Sequence, residues 1–213
     1  MSRKRPPALT QDELKRIYRR RRAAIRRRLA DFSRVPREEY FYELVYCLLT
    51  PQSAAVNAQT VVERLRDSGF RSRDIDPEPF LRNPDAYIRF HRTKAGHLIR
   101  MKPLFPGIFA EITSPTPDAQ LREWLVRNVP GIGWKEASHF LRNIGRRNLA
   151  ILDRHILKNL VRLGAIRSLP PTLTPRRYKL LEKKFHTFAL QIGIPLDELD
   201  LLFWSMETGE ILK

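Results

Sequence analysis

Val129-Pro130-Gly131-Ile132-Gly133-Trp134-Lys135-Glu136-Ala137-Ser138 reads as a tight hairpin between two helices. Leu121, Trp124 and Leu125 mark an amphipathic helix before it, and Ala137, Phe140, Leu141 and Ile144 mark another after it. Gly131 and Gly133 flank a single apolar residue. Glycine tolerates positive φ and lets another chain approach the backbone closely. Ile132 plugs the turn into the core, so the amides of the turn point outward at the start of a helix, where the dipole also favours an anion. Gly131 and Gly133 are thus candidate contacts to the phosphates of a nucleic-acid backbone, a clamp blind to base sequence. Carbonyls of the same turn can hold a monovalent cation that bridges to the phosphate. The competing reading is an ordinary helix–turn–helix corner, because two spaced glycines alone are a weak signal.

Lys135 lies at the first turn of the helix that follows. The helix N-terminus and partial burial both disfavour an ammonium there, which suits an amine that attacks a sugar carbon. Composition alone favours simple phosphate contact. Further on, Asn148-Leu149-Ala150-Ile151-Leu152-Asp153 is an apolar run that ends in an acid. Asp153 is a candidate for a carboxylate fixed at a pocket wall, and equally for a helix N-cap, which aspartate favours; one residue can serve both ends. His155 receives no acid–base role.

Outward from this segment the period is helical nearly everywhere. Thr10-Gln11-Asp12-Glu13 is a capping box. It opens a helix with apolar Leu14, Ile17, Tyr18, Ile25, Leu29 and Phe32, its other faces crowded by Arg19 to Arg22 and Arg26 to Arg28. Those arginines form a solvated face by default, with contact to a nucleic-acid backbone close behind and a membrane-surface helix as the third reading. Phe41, Leu44, Val45 and Leu48 mark a helix ended by Pro51. Ser53 is expected to cap the next, which Gly69 closes. Residues 71–84 read as loop. Helix resumes over 94–101, with a separate short segment near Phe109. Thr174-Pro175 starts a helix that Gly193 closes, and a last one runs from about Leu196 to Met206. No alternating run and no internal repeat occur, so the predicted fold is all-α.

Composition narrows the partner. Lys plus Arg number 40 against 23 Asp plus Glu, a net charge of +17, which favours a polyanionic partner, nucleic acid ahead of an anionic membrane surface, over a merely solubilising basic surface. Apolar residues make up 42% of the chain, enough for a packed core rather than a disordered basic tail. The single cysteine, Cys47, sits in an apolar run and reads as core. One cysteine builds no disulfide, no zinc site and no four-cysteine iron–sulfur cluster. With no apolar span and no signal peptide, a reducing, intracellular compartment is expected; for a DNA-binding protein that means the cytoplasm, at the nucleoid, with no membrane partner.

Two strings carry a resemblance. VPGIGWKEASHFLRNIG at 129–145 and LAILDRHIL at 149–157 resemble the helix–hairpin–helix DNA glycosylases. Within these, the chain is similar to the cluster-free 8-oxoguanine DNA glycosylase/AP lyases of the second type. The end of the chain, Asp200-Leu201-Leu202-Phe203-Trp204-Ser205-Met206-Glu207-Thr208-Gly209 through Lys213, resembles the same branch, which also ends in lysine.

The resemblance implies roles. Lys135 matches the Schiff-base lysine. Asp153 matches the aspartate that stabilises positive charge on the sugar and helps activate the lysine. Trp204 matches an aromatic that stacks on a flipped base, although spacing alone would place it in the core. Lys213, through its terminal carboxylate, matches a contact to the N7 hydrogen that oxidised guanine carries and guanine lacks. Gln52, in the turn Leu49-Thr50-Pro51-Gln52-Ser53, stands where such enzymes insert a wedge into the gap left by the flipped base; a plain capped loop is the alternative.

The expected architecture is two helical lobes with the active cleft between them. One lobe is 36–145, ending in the helix–hairpin–helix; the other is 1–35 with 146–213. The expected activity is bifunctional: excision of 8-oxoguanine from double-stranded DNA through a lysine Schiff base, then a nick by β-elimination. A monomer is expected, with no redox cofactor, no iron–sulfur cluster and no divalent metal. The rivals are a monofunctional glycosylase, an endonuclease III-like glycosylase of other oxidised bases, and a non-enzymatic helix–hairpin–helix DNA-binding module.

Overall fold

The computed structural model describes residues Leu9–Ile211. Helices α1 (Gln11–Ser33), α2 (Tyr40–Leu49), α3 (Ala55–Asp67), α4 (Glu78–Leu81), α5 (His91–Ile112), α6 (Asp118–Asn128), α7 (Trp134–Asn143), α8 (Arg154–Arg162), α9 (Pro175–Ile192) and α10 (Leu196–Thr208) account for its regular structure. Two single turns of 3-10 helix, Arg37–Glu39 and Pro84–Ala86, complete it. No strand occurs among the described residues, in agreement with the all-α reading. None of the described helices is long and apolar enough to cross a membrane. The chain divides into two compact units, one spanning Val35–Ile144 and the other joining the residues up to Arg34 to those from Gly145 onward.

In the unit of Val35–Ile144, α2 is the axis. Phe41, Tyr42 and every residue from Leu44 to Leu49 are buried, which is what a helix apolar on all faces requires. It packs against α3, α5 and α7. α5 corrects the reading of its segment. The expected helix near 94–101 and the separate piece near Phe109 are one helix, which continues through Pro103 and Pro106. Both prolines lie on the exposed face, while Met101, Phe105, Ile108 and Ile112 are buried. Burial of that stripe therefore overrides the missing amides. The loop expected over 71–84 contains the short α4.

In the other unit, α10 plays the same part. It packs on α1, α8 and α9, with Leu196–Phe203 and Ser205 buried. The Thr10–Glu13 capping box is formed, and Leu14, Tyr18, Ile25, Leu29 and Phe32 seat α1. Ahead of α8, residues 148–152 run without helix or strand, so their backbone groups need other partners. Carboxylates supply them. Asp197 accepts from Asn148 N (3.1 and 3.2 Å), Glu182 from Ala150 N (3.0 Å) and Asp200 from Ile151 N (3.3 Å). Tyr178 Oη donates to the Ala150 carbonyl (2.6 Å) and accepts from Leu152 N (3.2 Å). This buried network delivers the chain to Asp153 in one fixed conformation.

Candidate active site

The hairpin forms as read. α6 ends at Asn128, Val129 and Ile132 are buried, and the Ile132 amide closes the turn on the Val129 carbonyl at 3.3 Å. Only Gly131 uses positive φ (+82°). It has a second reason to be glycine, because a Cβ there would lie 1.9 Å from His97 Nδ1 on α5. His97 is itself pushed below the usual imidazole range, chiefly by burial and then by the charge of Arg100. Gly133 has extended backbone (φ −99°, ψ −179°), so the expectation of positive φ holds for the first glycine alone. A Cβ on Gly133 would meet Glu136 Oε2 at 2.8 Å. Gly133 is the N-cap of α7, and no side chain caps that helix. Gly133 therefore offers the first amides of α7 no capping side chain of its own.

Lys135 occupies the first turn of α7. Its side chain is 28% exposed, enough for the amine to be reached. Nζ lies 3.1 Å from Glu136 Oε1, a carboxylate that sequence reasoning passed over although it is the adjacent residue. On the same unit stands Lys94, which is only 6% exposed. Burial, and then the neighbouring charge of Lys135, brings its pKa down to about 8, with Glu136 acting in the opposite sense. Lys94 donates to the carbonyl oxygens of Leu49 (2.6 Å) and Pro51 (2.7 Å) and to Ser53 Oγ (3.1 Å). Gln52 is exposed on that turn in a left-handed conformation, φ +56°. Ser53 does not cap α3 as expected. The N-cap is Ala54, without a side-chain hydrogen bond, because Ser53 Oγ is engaged by Lys94 and by the Arg89 amide (3.0 Å).

On the other unit, Asp153 is the N-cap of α8. Its Oδ1 accepts from His155 N and Ile156 N, both at 2.8 Å. Oδ2 has no hydrogen-bond partner among the described residues, which leaves one carboxylate oxygen to act outward. His155 sets its ring edge-on to Trp204 at 5.3 Å. Glu207 lies behind the pair, with Oε2 3.5 Å from His155 Nδ1 and Oε1 accepting from Asn159 Nδ2 at 3.2 Å. Trp204 is partly exposed on α10 rather than buried in it. Lys213 lies outside the described residues. The structure thus groups Gly131, Gly133, Lys135 and the Gln52 turn on one unit, and Asp153 and Trp204 on the other. The residues that sequence reading missed are Lys94, Glu136 and Glu207. Only Glu136 had a local signal, at the third helical position where a carboxylate favours the helix start.

Comparisons with known proteins bear on the family and the fold. The family model of the 8-oxoguanine DNA glycosylases of helix–hairpin–helix type matches residues 25–194. An 8-oxoguanine DNA glycosylase/AP lyase of Fusobacterium nucleatum is 38% identical over 214 residues, covering 95% of this chain and 97% of its own. One from Korarchaeum cryptofilum is 39% identical over 193 residues, with 90% and 91% covered. Among solved structures, the 8-oxoguanine glycosylase/lyase of Methanocaldococcus jannaschii in complex with a 15mer DNA containing 8-oxoguanine superposes with a TM-score of 0.84. It shares 33% identity and covers 94% of this chain and 99% of its own. The fold and the hairpin define a helix–hairpin–helix DNA glycosylase. The chain belongs to the 8-oxoguanine DNA glycosylase family.

Proposed function

We propose that this protein excises 8-oxoguanine from duplex DNA and nicks the resulting site as a lyase, with Lys135 as nucleophile and Asp153 as its carboxylate. The observation that carries the reading is Lys135: an accessible amine in the first turn of a helix that no side chain caps, directly behind the hairpin. The amides of the hairpin and of the start of α7 grip a phosphate, and the gripped strand presents its deoxyribose to Nζ.

The neutral amine attacks C1′. The C1′–N9 bond breaks, its electron pair leaves with the purine, and the purine takes up a proton. Asp153 Oδ2 faces the positive charge that develops on the sugar, an electrostatic role for which a fixed, charged oxygen is suited. Opening of the sugar ring leaves an iminium between Nζ and C1′. Loss of a proton from C2′ then expels the 3′ phosphate by cleavage of the C3′–O3′ bond, and water hydrolyses the iminium to free the lysine. The steps balance with no redox cofactor and no divalent metal. A monovalent cation on the hairpin carbonyls would add only to the phosphate grip.

Trp204 supplies the stacking surface for the flipped base, the terminal carboxylate of Lys213 reads its N7 hydrogen, and Gln52 enters the gap left in the duplex. The protein acts as a monomer in the cytoplasm, held to the nucleoid by its charge. Borohydride reduction in the presence of duplex containing 8-oxoguanine tests the mechanism. A covalent protein–DNA adduct is expected from the native protein, and strand nicking without an adduct would rule out the Schiff base.

A further inference from the structure

We propose that Lys94 is a positioning residue for strand invasion: its buried ammonium holds the Thr50–Ser53 turn so that Gln52 stands at an exposed tip. The proposal rests on the assignment of Gln52 as the group that enters the duplex. A lysine inside a helix is ordinarily a solvated residue that keeps its charged end in water. Lys94 instead runs inward from α5 and meets three acceptors of one turn, the carbonyls of Leu49 and Pro51 and the hydroxyl of Ser53. An ammonium has three donors, and all three are used.

Each contact has a consequence for the turn. Leu49 is the last residue of α2, so its carbonyl belongs to the set that a helix end leaves without a partner, where a cation is also favoured by the dipole. The Pro51 carbonyl immediately precedes Gln52, whose left-handed backbone is unfavourable for a side chain with a Cβ and persists only where neighbours hold it. The Ser53 hydroxyl follows Gln52 and ties the same turn to the Arg89 amide, just ahead of α5. Residues on both sides of Gln52 are thereby clamped, and the Ser53 amide closes the turn on the Thr50 carbonyl at 3.1 Å. Gln52 itself stays exposed. A purely structural filler at this place would be apolar, because a buried ammonium is costly even when paired. The charge here fixes a strained, exposed tip on the unit that also carries the amine proposed as nucleophile.

The test separates invasion of a duplex from chemistry on the sugar. Lys94→Met keeps length and loses the ammonium; Lys94→Arg restores a cation. Nicking is measured on duplex carrying 8-oxoguanine and on a single strand carrying a preformed abasic site, where nothing has to be displaced. Lys94→Met is expected to lose about ten- to hundredfold on duplex, as for hydrogen bonds to a charged group. Its loss on the single strand should be far smaller than on duplex, and Lys94→Arg should recover part of the duplex activity. A 2-aminopurine opposite the lesion, read by fluorescence on binding alone, should lose its signal in Lys94→Met. Gln52→Ala should lose duplex activity too, and the double variant should be no worse than Gln52→Ala. Equal losses on both substrates, no loss on duplex, or additive losses in the double variant would each overturn the proposal. Failure of the functional reading would show separately, as a native protein that nicks neither substrate while the fluorescence readout still reports on the turn.

Discussion

α7 and α8 begin in opposite ways. α7 starts at Gly133 with no side-chain cap, while α8 starts at Asp153, whose Oδ1 takes two of the helix's own amides. The same dipole is left open to an outside anion in one case and given to an internal carboxylate in the other. A phosphate approaching the start of α7 meets a helix N-terminus that no N-cap side chain occupies. A cation developing near the start of α8 meets the second oxygen of a carboxylate that the backbone already holds. Under the proposed function, the start of α7 grips a phosphate and the start of α8 stabilises a positive sugar. Their chemistry differs because of one residue in each, a glycine and an aspartate.

The largest effect should come from the open start. Lys135→Gln is expected to abolish nicking and borohydride trapping on duplex with 8-oxoguanine, while a gel-shift assay shows nearly native affinity, because the hairpin amides remain. Native nicking by this variant would refute the mechanism. At the capped start, Asp153→Asn keeps a good cap and loses the charge. Base excision should fall by about a hundredfold or more, the usual scale for one electrostatic contact to a transition state, with little change in melting temperature. If instead melting falls and excision holds, Asp153 is a cap and nothing else.

A smaller effect belongs to base choice. If the terminal carboxylate reads the N7 hydrogen, adding one residue after Lys213 replaces that carboxylate with an amide. A hydrogen bond to a charged group contributes about 1.5–3 kcal/mol, so selectivity for 8-oxoguanine over guanine should drop about ten- to hundredfold. Nicking at a preformed abasic site should be unaffected by the extension. Unchanged selectivity would move recognition to the walls around Trp204.

The two helix starts also show what a sequence displays and what it hides. Asp153 was legible because both its signals are local: an apolar run before it and a helix after it. The hairpin was legible because Val129, Ile132 and the two glycines lie within one turn. Lys94 was not, because the groups that bury it are Leu49, Pro51 and Ser53, far away in the chain, and nothing near Lys94 marks it off from a surface lysine. The same long-range contact explains Ser53, which has the position of a cap and uses its hydroxyl elsewhere. Pro103 and Pro106 misled for a related reason: their local preference is to end a helix, and the buried stripe of α5 decides otherwise. Local rules read both helix starts; they cannot read a contact that only the fold creates.

Lys94 has a second measurable consequence. Its pKa is lowered from 10.5 to about 8, so the folded protein releases this proton before the unfolded chain does. Below pH 8 both states are charged and folding bears the full cost of burying the ammonium. From about pH 8 to 10.5 the unfolded chain binds more protons, so this group makes stability rise with pH. The whole change is about 3 kcal/mol at 1.36 kcal/mol per unit. Tyr18 and Tyr42 are raised above the usual phenol range, first by burial, and pull the other way above about pH 10. Denaturant melts between about pH 7.5 and 9.5 should therefore show a more positive slope for the native protein than for Lys94→Met. Parallel slopes would mean that the ammonium is not held out of water.

The smallest effect is expected on the arginine face of α1. The structure sorts its arginines. Arg21 donates to Ser205 Oγ at 2.7 Å and Arg28 lies over the Phe32 ring at 5.2 Å, so both belong to the packing. Arg26 pairs with Glu198 at 3.1 Å. Arg16, Arg20 and Arg27 are exposed, and their spacing of four and seven residues puts them in one line opposite the buried face. If that line touches the backbone of a bound duplex, each contact releases condensed counterions. The slope of log K against log salt should then flatten by about 0.9 for each phosphate that is no longer neutralised. Replacing Arg16, Arg20 and Arg27 with Ala should accordingly flatten the slope by up to about 3 with an unchanged melting temperature. Replacing Arg21 and Arg28 should lower the melting temperature and leave the slope alone. An unchanged slope in the outer variant would assign the line to solvent and leave the hairpin and α7 as the principal phosphate grip.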